Sequence, residues 1–113
     1  MRDDRLRLLD ILGAADSLRN FTDEKTREDL SADPLLLSAV LHQLYVIGEA
    51  AAHVSADIKG RHPGVPWKVI HGFRNYIAHE YFSLDVDIVW QTVVQDVPEL
   101  RSQINQILRA EYP

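Results

Sequence analysis

The sequence predicts an all-α fold, an up-and-down bundle of four to five helices, and three observations predict it. Apolar residues recur every three to four positions over long stretches, and no segment shows the sustained alternation of a half-buried strand. Pro, Asp and Thr residues also stand where helices would begin. A chain of 113 residues can bury one shared core, so a single domain over residues 1–113 is expected.

In the first twenty residues Leu6, Leu8, Leu9, Ile11, Leu12, Ala15 and Leu18 recur among Arg and Asp, the pattern of an amphipathic helix. Thr22, followed by Asp23 and Glu24, predicts the N-cap of a short polar helix that ends before Asp33. Asp33 and Pro34 then predict the cap and first residue of a central helix carrying Leu35 to Leu37, Val40, Leu41, Leu44, Ile47 and Ala51. Lys59 to Pro66 is broken by Gly and Pro and predicts a loop. Pro66 suits the first position of a helix with Trp67, Ile70, Phe73 and Ile77 on its apolar side. Ser83 or Asp85 should cap a last long helix running to Leu108, which Pro98 should kink or divide.

The absence of cysteine excludes a disulfide framework, a thiolate nucleophile and a cysteine-ligated metal site. No run approaches the roughly 18 to 20 consecutive apolar residues of a membrane span, and the acidic N-terminus is unlike a signal peptide. A soluble, cytoplasmic chain with no membrane partner is expected. The net charge of −5 argues against a protein that coats nucleic acid through a broad basic surface. Its distribution is uneven. From Ile58 through His79 stand Lys59, Arg61, Lys68 and Arg74, three of the five histidines and no carboxylate. With those four cations removed from a total of −5, the remainder stands at −9. A defined phosphate-binding cleft fits that arrangement better than a general nucleic-acid surface.

On the helix that follows Pro66, a step of about 100° per residue puts Lys68, His71, Asn75 and His79 opposite the apolar side. For Lys68 and His71 a solvated outer face is the simpler reading. Arg74 and Tyr81 lie seven residues apart, close to two turns, and so share a flank between these two sides. His79 lies about 140° round from Arg74, so the two side chains do not meet automatically. Either the helix bends or unwinds near Ala78, or the long Arg side chain reaches around, or a second subunit completes the site. Arg and His suit cleavage of RNA without metal or cofactor: a base takes the 2′-hydroxyl proton, a cation stabilises the phosphorane and an acid protonates the leaving oxygen. Histidine, with an ordinary pKa of about 6.5, can do either proton transfer, and arginine offers a charged fork to phosphate oxygens. Asn75 and Tyr81 could position RNA.

The stretch from Val65 through Pro98 resembles the HepT-like toxin family of the HEPN superfamily. Arg74-Asn75-Tyr76-Ile77-Ala78-His79-Glu80-Tyr81 matches that family's pattern of Arg, four residues, His, one residue, Tyr. The likeness extends to Ile47-Gly48-Glu49-Ala50 and to Asp87-Ile88-Val89-Trp90, while the first thirty residues match only in helical character. The resemblance implies a HEPN-type bundle and a homodimeric, metal-independent endoribonuclease toxin with Arg74 and His79 catalytic. It further implies a cognate minimal nucleotidyltransferase antitoxin that neutralises the toxin by AMPylation of Tyr81.

Two other readings use the same residues. The chain could be a noncatalytic nucleotide- or substrate-binding partner subunit of a nucleotidyltransferase, or a structural adaptor whose Arg and His hold helices together. His42 and His53 read as packing or interface residues, since no carboxylate or cysteine pattern makes them metal ligands. His62 and Glu80 read as solvated. Glu49, an acid in so apolar a helix, needs a partner, and Arg74 is one candidate; the alternatives are that it faces water or caps another helix.

Overall fold

The computed structural model describes residues 3–113, which are all-α with no strand among them. Helix α1 (Asp4–Thr22) opens at Asp3, whose carboxylate accepts the Leu6 N–H at 2.9 Å, and it buries Leu8, Ile11, Ala15 and Leu18. Thr22 closes this helix rather than opening the next. Its hydroxyl donates to the Leu18 carbonyl at 2.8 Å, the bond a threonine makes inside a helix. The cap of α2 (Arg27–Ala32) is instead Thr26, in a reciprocal box: Thr26 Oγ1 accepts the Asp29 N–H at 3.1 Å and Asp29 accepts the Thr26 N–H at 2.9 Å. Glu24, with φ 58°, makes the intervening turn.

The Asp33 carboxylate caps α3 (Pro34–Ala52) by accepting the Leu35 and Leu36 N–H groups at 3.0 and 3.2 Å, with Pro34 first in the helix as expected. Downstream, the predicted loop is shorter than the Gly and Pro residues suggest. Ser55 caps a further helix, α4 (Ala56–Arg61), which buries Ile58 and carries straight through Gly60. Pro66 occupies the cap position of α5 (Trp67–His79), so this helix starts one residue later than expected. Asp85 caps α6 (Val86–Gln91) through the Asp87 N–H at 2.9 Å. Pro98 divides the last helix as predicted: it stands in the first turn of α7 (Val97–Glu111), and a π-helical turn over Thr92–Asp96 absorbs the break.

The long helices run antiparallel to their neighbours. Ser55, after α3, donates its N–H and hydroxyl to Asp4 at the start of α1, at 2.9 and 2.6 Å. Arg101 near the start of α7 pairs with Asp16 towards the end of α1 at 2.6 Å. Between them lies one hydrophobic cluster, in which Leu8, Ile11, Leu18, Leu30, Val40, Val89, Ile104 and Ile107 are fully buried. Helix α3 reaches the length and hydropathy of a membrane span, closer to that limit than its run of consecutive apolar residues suggests. It is the central helix here, with Val40, Leu44 and Ile47 buried in the cluster.

The end of α7 is clamped to α4. Glu111 accepts from Arg61 Nη2 at 2.7 Å and Nε at 3.1 Å, and lies 2.8 Å from His62 Nε2. His62 is therefore a half-buried partner of Glu111 rather than a solvated residue. The Arg61 and His62 hydrogen bonds push the Glu111 carboxyl down to about 2 from 4.5. A depressed carboxyl stabilises the fold above its ordinary value and loses that contribution as pH falls through the folded one. Urea midpoints of wild type and Glu111→Gln should therefore differ at pH 6, with wild type more stable, and converge as the pH drops towards about 2. A gap that stays constant with pH would show that the carboxylate charge contributes nothing.

Candidate active site

Among the long helices α5 is the least embedded. Its extensive contact is with α3, and Ile77 is its one buried side chain, with Trp67, Ile70 and Phe73 half-buried against the core. The opposite face is free: Lys68, His71 and His79 are exposed and Asn75 is partly so. The solvated reading of Lys68 and His71 is therefore what the structure shows.

Arg74 lies on the flank that meets α3. Its side chain crosses α3 at Gly48, so closely that a Cβ at position 48 would overlap the Arg74 Cβ and sit 2.8 Å from its Cγ. Beyond that crossing Arg74 Nη1 donates to Glu49, and Nη2 donates to Asn75 Oδ1 at 3.2 Å. Glu49 has the partner that its place in α3 demanded. The Arg74 hydrogen bond holds the Glu49 carboxyl below the ordinary carboxylate range, burial opposes this, and a hydrogen bond with Tyr45 assists it. The Glu49 carboxylate is therefore ionised at neutral pH. A guanidinium has five N–H donors, so Arg74 keeps others for an anion while Glu49 and Asn75 fix its plane.

His79 is the last residue of α5 and is exposed. The helix stays regular up to it, and the Glu80 N–H still donates to the Tyr76 carbonyl at 2.9 Å, so no unwinding near Ala78 brings His79 round to Arg74. No hydrogen bond joins the two among the described residues: Arg74 is drawn towards α3 while His79 is presented to solvent.

The helix does not reach Tyr81, so the flank that Tyr81 and Arg74 were expected to share does not exist. Glu80 terminates α5 with φ −119° and ψ 27°, and Tyr81 begins a 3₁₀ turn, Tyr81–Ser83. The Tyr81 ring, 46% exposed, packs edge-on to fully exposed Phe82 at 5.5 Å. Glu80 is exposed as expected and accepts the Ser83 hydroxyl at 3.0 Å.

Three residues that the sequence reading gave no role shape this site. Gly48 admits Arg74, Tyr45 supports Glu49, and the Tyr76 hydroxyl accepts the Asp85 N–H at 2.9 Å, tying α5 to the start of α6 across the turn that bears Tyr81. A glycine inside a helix costs about 1 kcal/mol relative to alanine, but that cost alone does not single out Gly48, since a Cβ at Gly13, Gly60 or Gly72 would meet nothing within 4 Å. Tyr45, four residues before Glu49, had the spacing of a helix-surface pair. His42 and His53 are exposed rather than packed, and His53 Nδ1 lies 2.8 Å from the Glu49 carbonyl oxygen.

Gly48→Ala should destabilise the protein by about 1–3 kcal/mol, because the helices must part or Arg74 must move. Gly13→Ala in α1, where a new Cβ meets nothing within 4 Å, should stabilise by up to about 1 kcal/mol. Urea unfolding of both variants checks the contrast, and equal shifts would remove the close crossing as an explanation for Gly48.

Comparison with known proteins adds to this geometry. The family described as ribonuclease HepT-like matches residues 11–107, a span that contains Gly48, Glu49, Arg74, Asn75, His79 and Tyr81. A protein named "Putative RNase TTE0752" from Caldanaerobacter subterraneus subsp. tengcongensis is 39% identical over 84 residues, covering 74% of this chain and 75% of that one. One named "Probable ribonuclease HepT" from Thermococcus cleftensis is 35% identical over 100 residues, covering 88% of this chain and 91% of its own. No solved structure gives a significant match. With a family match across nearly all of the bundle and relatives above 30% identity along most of their length, the chain belongs to the HepT-like ribonuclease family.

Proposed function

We propose that this chain is the toxin component of a toxin-antitoxin pair, a cytoplasmic endoribonuclease that cuts RNA without a metal ion and uses Arg74 and His79 as its catalytic residues. The observation that carries the reading is the HepT-like ribonuclease match over residues 11–107. The exposed histidine and the oriented, partly satisfied guanidinium support it on chemical grounds.

In the proposed reaction a base removes the proton of the 2′-hydroxyl, whose oxygen attacks the adjacent phosphorus. The bond to the 5′-oxygen breaks as an acid protonates it, leaving a 2′,3′-cyclic phosphate and a 5′-hydroxyl. His79 takes one of the two proton-transfer roles. The free N–H groups of Arg74 neutralise charge on the phosphorane, and Asn75 and Tyr81 position the strand. The active form is a homodimer in this reading. Support comes from the separation of Arg74 and His79 within one chain, and from Phe82, fully exposed just beyond the end of α5. A second copy packed against that end of α5 would gather two Arg74 and two His79 side chains in one cleft.

Control comes from a cognate minimal nucleotidyltransferase antitoxin that transfers AMP from ATP to the Tyr81 hydroxyl and releases pyrophosphate. Tyr81 stands half-exposed in a turn two residues past His79. A nucleotide there adds bulk and a negative phosphate beside the catalytic face, both opposed to binding RNA.

Purified wild-type protein should cleave total RNA in excess EDTA, and folded Arg74→Ala and His79→Ala variants should each lose roughly 100-fold or more of that activity. If the folded wild type cuts no RNA class offered, the noncatalytic partner-subunit reading replaces this one. Incubation with the cognate transferase and ATP should add AMP by intact mass to wild type and not to Tyr81→Phe. An unchanged wild-type mass would count against the control mechanism alone.

A further inference from the structure

An open depression of about 840 Å³ lies between the end of α3, the α4–α5 connection and the first turns of α5, bordered by Lys59, Lys68 and His71. Trp67 lines it and is fixed, its indole N–H donating to the His62 carbonyl at 3.0 Å, with the Lys59 ammonium 5.7 Å above the ring centroid. No acidic residue lines the depression, and none occurs between Ile58 and His79. The neighbouring Arg61 is neutralised by Glu111 and Arg74 by Glu49, whereas neither lysine stands in an ion pair among the described residues.

The depression opens onto the same face of α5 as His79. Lys68, His71, Asn75 and His79 fall within an arc of about 80°, and Lys68 to His79 spans about 16 Å along the axis. A polyanion lying at His79 and following that face reaches the two lysines next. We propose that Lys59, Lys68 and His71 form an RNA subsite that binds phosphates flanking the scissile one, on the Lys68 side of the cut. This assignment rests on the ribonuclease reading above and extends it along the helix. RNA is favoured over an acidic protein surface because the cations continue the stripe that ends at the proposed catalytic histidine.

The test is fluorescence anisotropy with a labelled 2′-O-methyl RNA, which lacks the attacking hydroxyl, between about 50 and 200 mM salt. The Lys59→Ala/Lys68→Ala variant should bind roughly tenfold more weakly at the middle of that range, with the slope of log affinity against log salt reduced by about 1.4, since each lost phosphate contact removes about 0.7 for a single strand. With cleavable RNA its KM should rise by a similar factor while kcat is retained. Lys25→Ala, a cation on the turn after α1, should change neither slope nor KM. A double variant with wild-type affinity and slope would overturn the proposal and leave an acidic protein partner as the ligand of these lysines; so would a wild type that binds the oligonucleotide with no salt dependence. The ribonuclease reading is judged separately, by cleavage in EDTA, so a wild type that binds but does not cut refutes that reading and leaves the binding result standing.

Discussion

The site depends on one close crossing of two helices. Because position 48 has no side chain, α5 lies low enough over α3 for the stem of Arg74 to fold across the backbone and deliver its guanidinium to Glu49. The missing Cβ, the cation and the carboxylate sit on adjoining positions of the two helices. None suffices alone: a larger residue at 48 would lift Arg74 away, and without Arg74 the half-buried carboxylate of Glu49 would lose the hydrogen-bond donor that does most to lower its pKa. The helix-propensity cost of a mid-helix glycine is thus offset by the contact it permits. Asn75 and Tyr45 finish the arrangement from either side, one holding the plane of the guanidinium and the other the carboxylate.

Around that crossing the fold separates support from presentation. Helices α1, α3 and α7 carry most of the buried side chains, and polar clamps at their ends set the directions: Asp4 with Ser55, Asp16 with Arg101, and Glu111 with Arg61 and His62. Helix α5 adds little to the core and offers an open face to solvent instead. This is the division expected of an interaction surface mounted on a rigid scaffold, with precision supplied by the scaffold and access by the mounted element.

The fold was largely legible because its signals are local. Asp33 with Pro34 caps α3, Asp85 caps α6, and Pro98 forces the division of the last helix, each through chemistry confined to a few residues. The errors arose where two local solutions compete. Thr22 and Thr26 can both cap a helix, and only the box with Asp29 decides for Thr26. Helix α4 was hidden because Gly60 and Pro63 suggest a break while Ser55 and buried Ile58 start a turn upstream. At the site, the need of Glu49 for a partner and the angular gap between Arg74 and His79 could both be read from helix geometry. The end of α5 at Glu80 could not, since no Gly, Pro or Asn marks it between His79 and Asp85, and the bond from Asp85 to Tyr76 that spans the turn appears only in the folded chain. The role of Gly48 likewise exists only once two helices are in contact.

The light anchoring of α5 bears on motion as well as access. A helix with one buried side chain and a single extensive neighbour should detach at less cost than the rest of the bundle needs to unfold. Its backbone amides are placed to exchange with solvent through such openings while those of α1 and α7 await global unfolding. Anything that binds across the exposed face, whether nucleic acid or a second protein, then acts as a brace on α5, and part of its binding free energy goes into suppressing such openings.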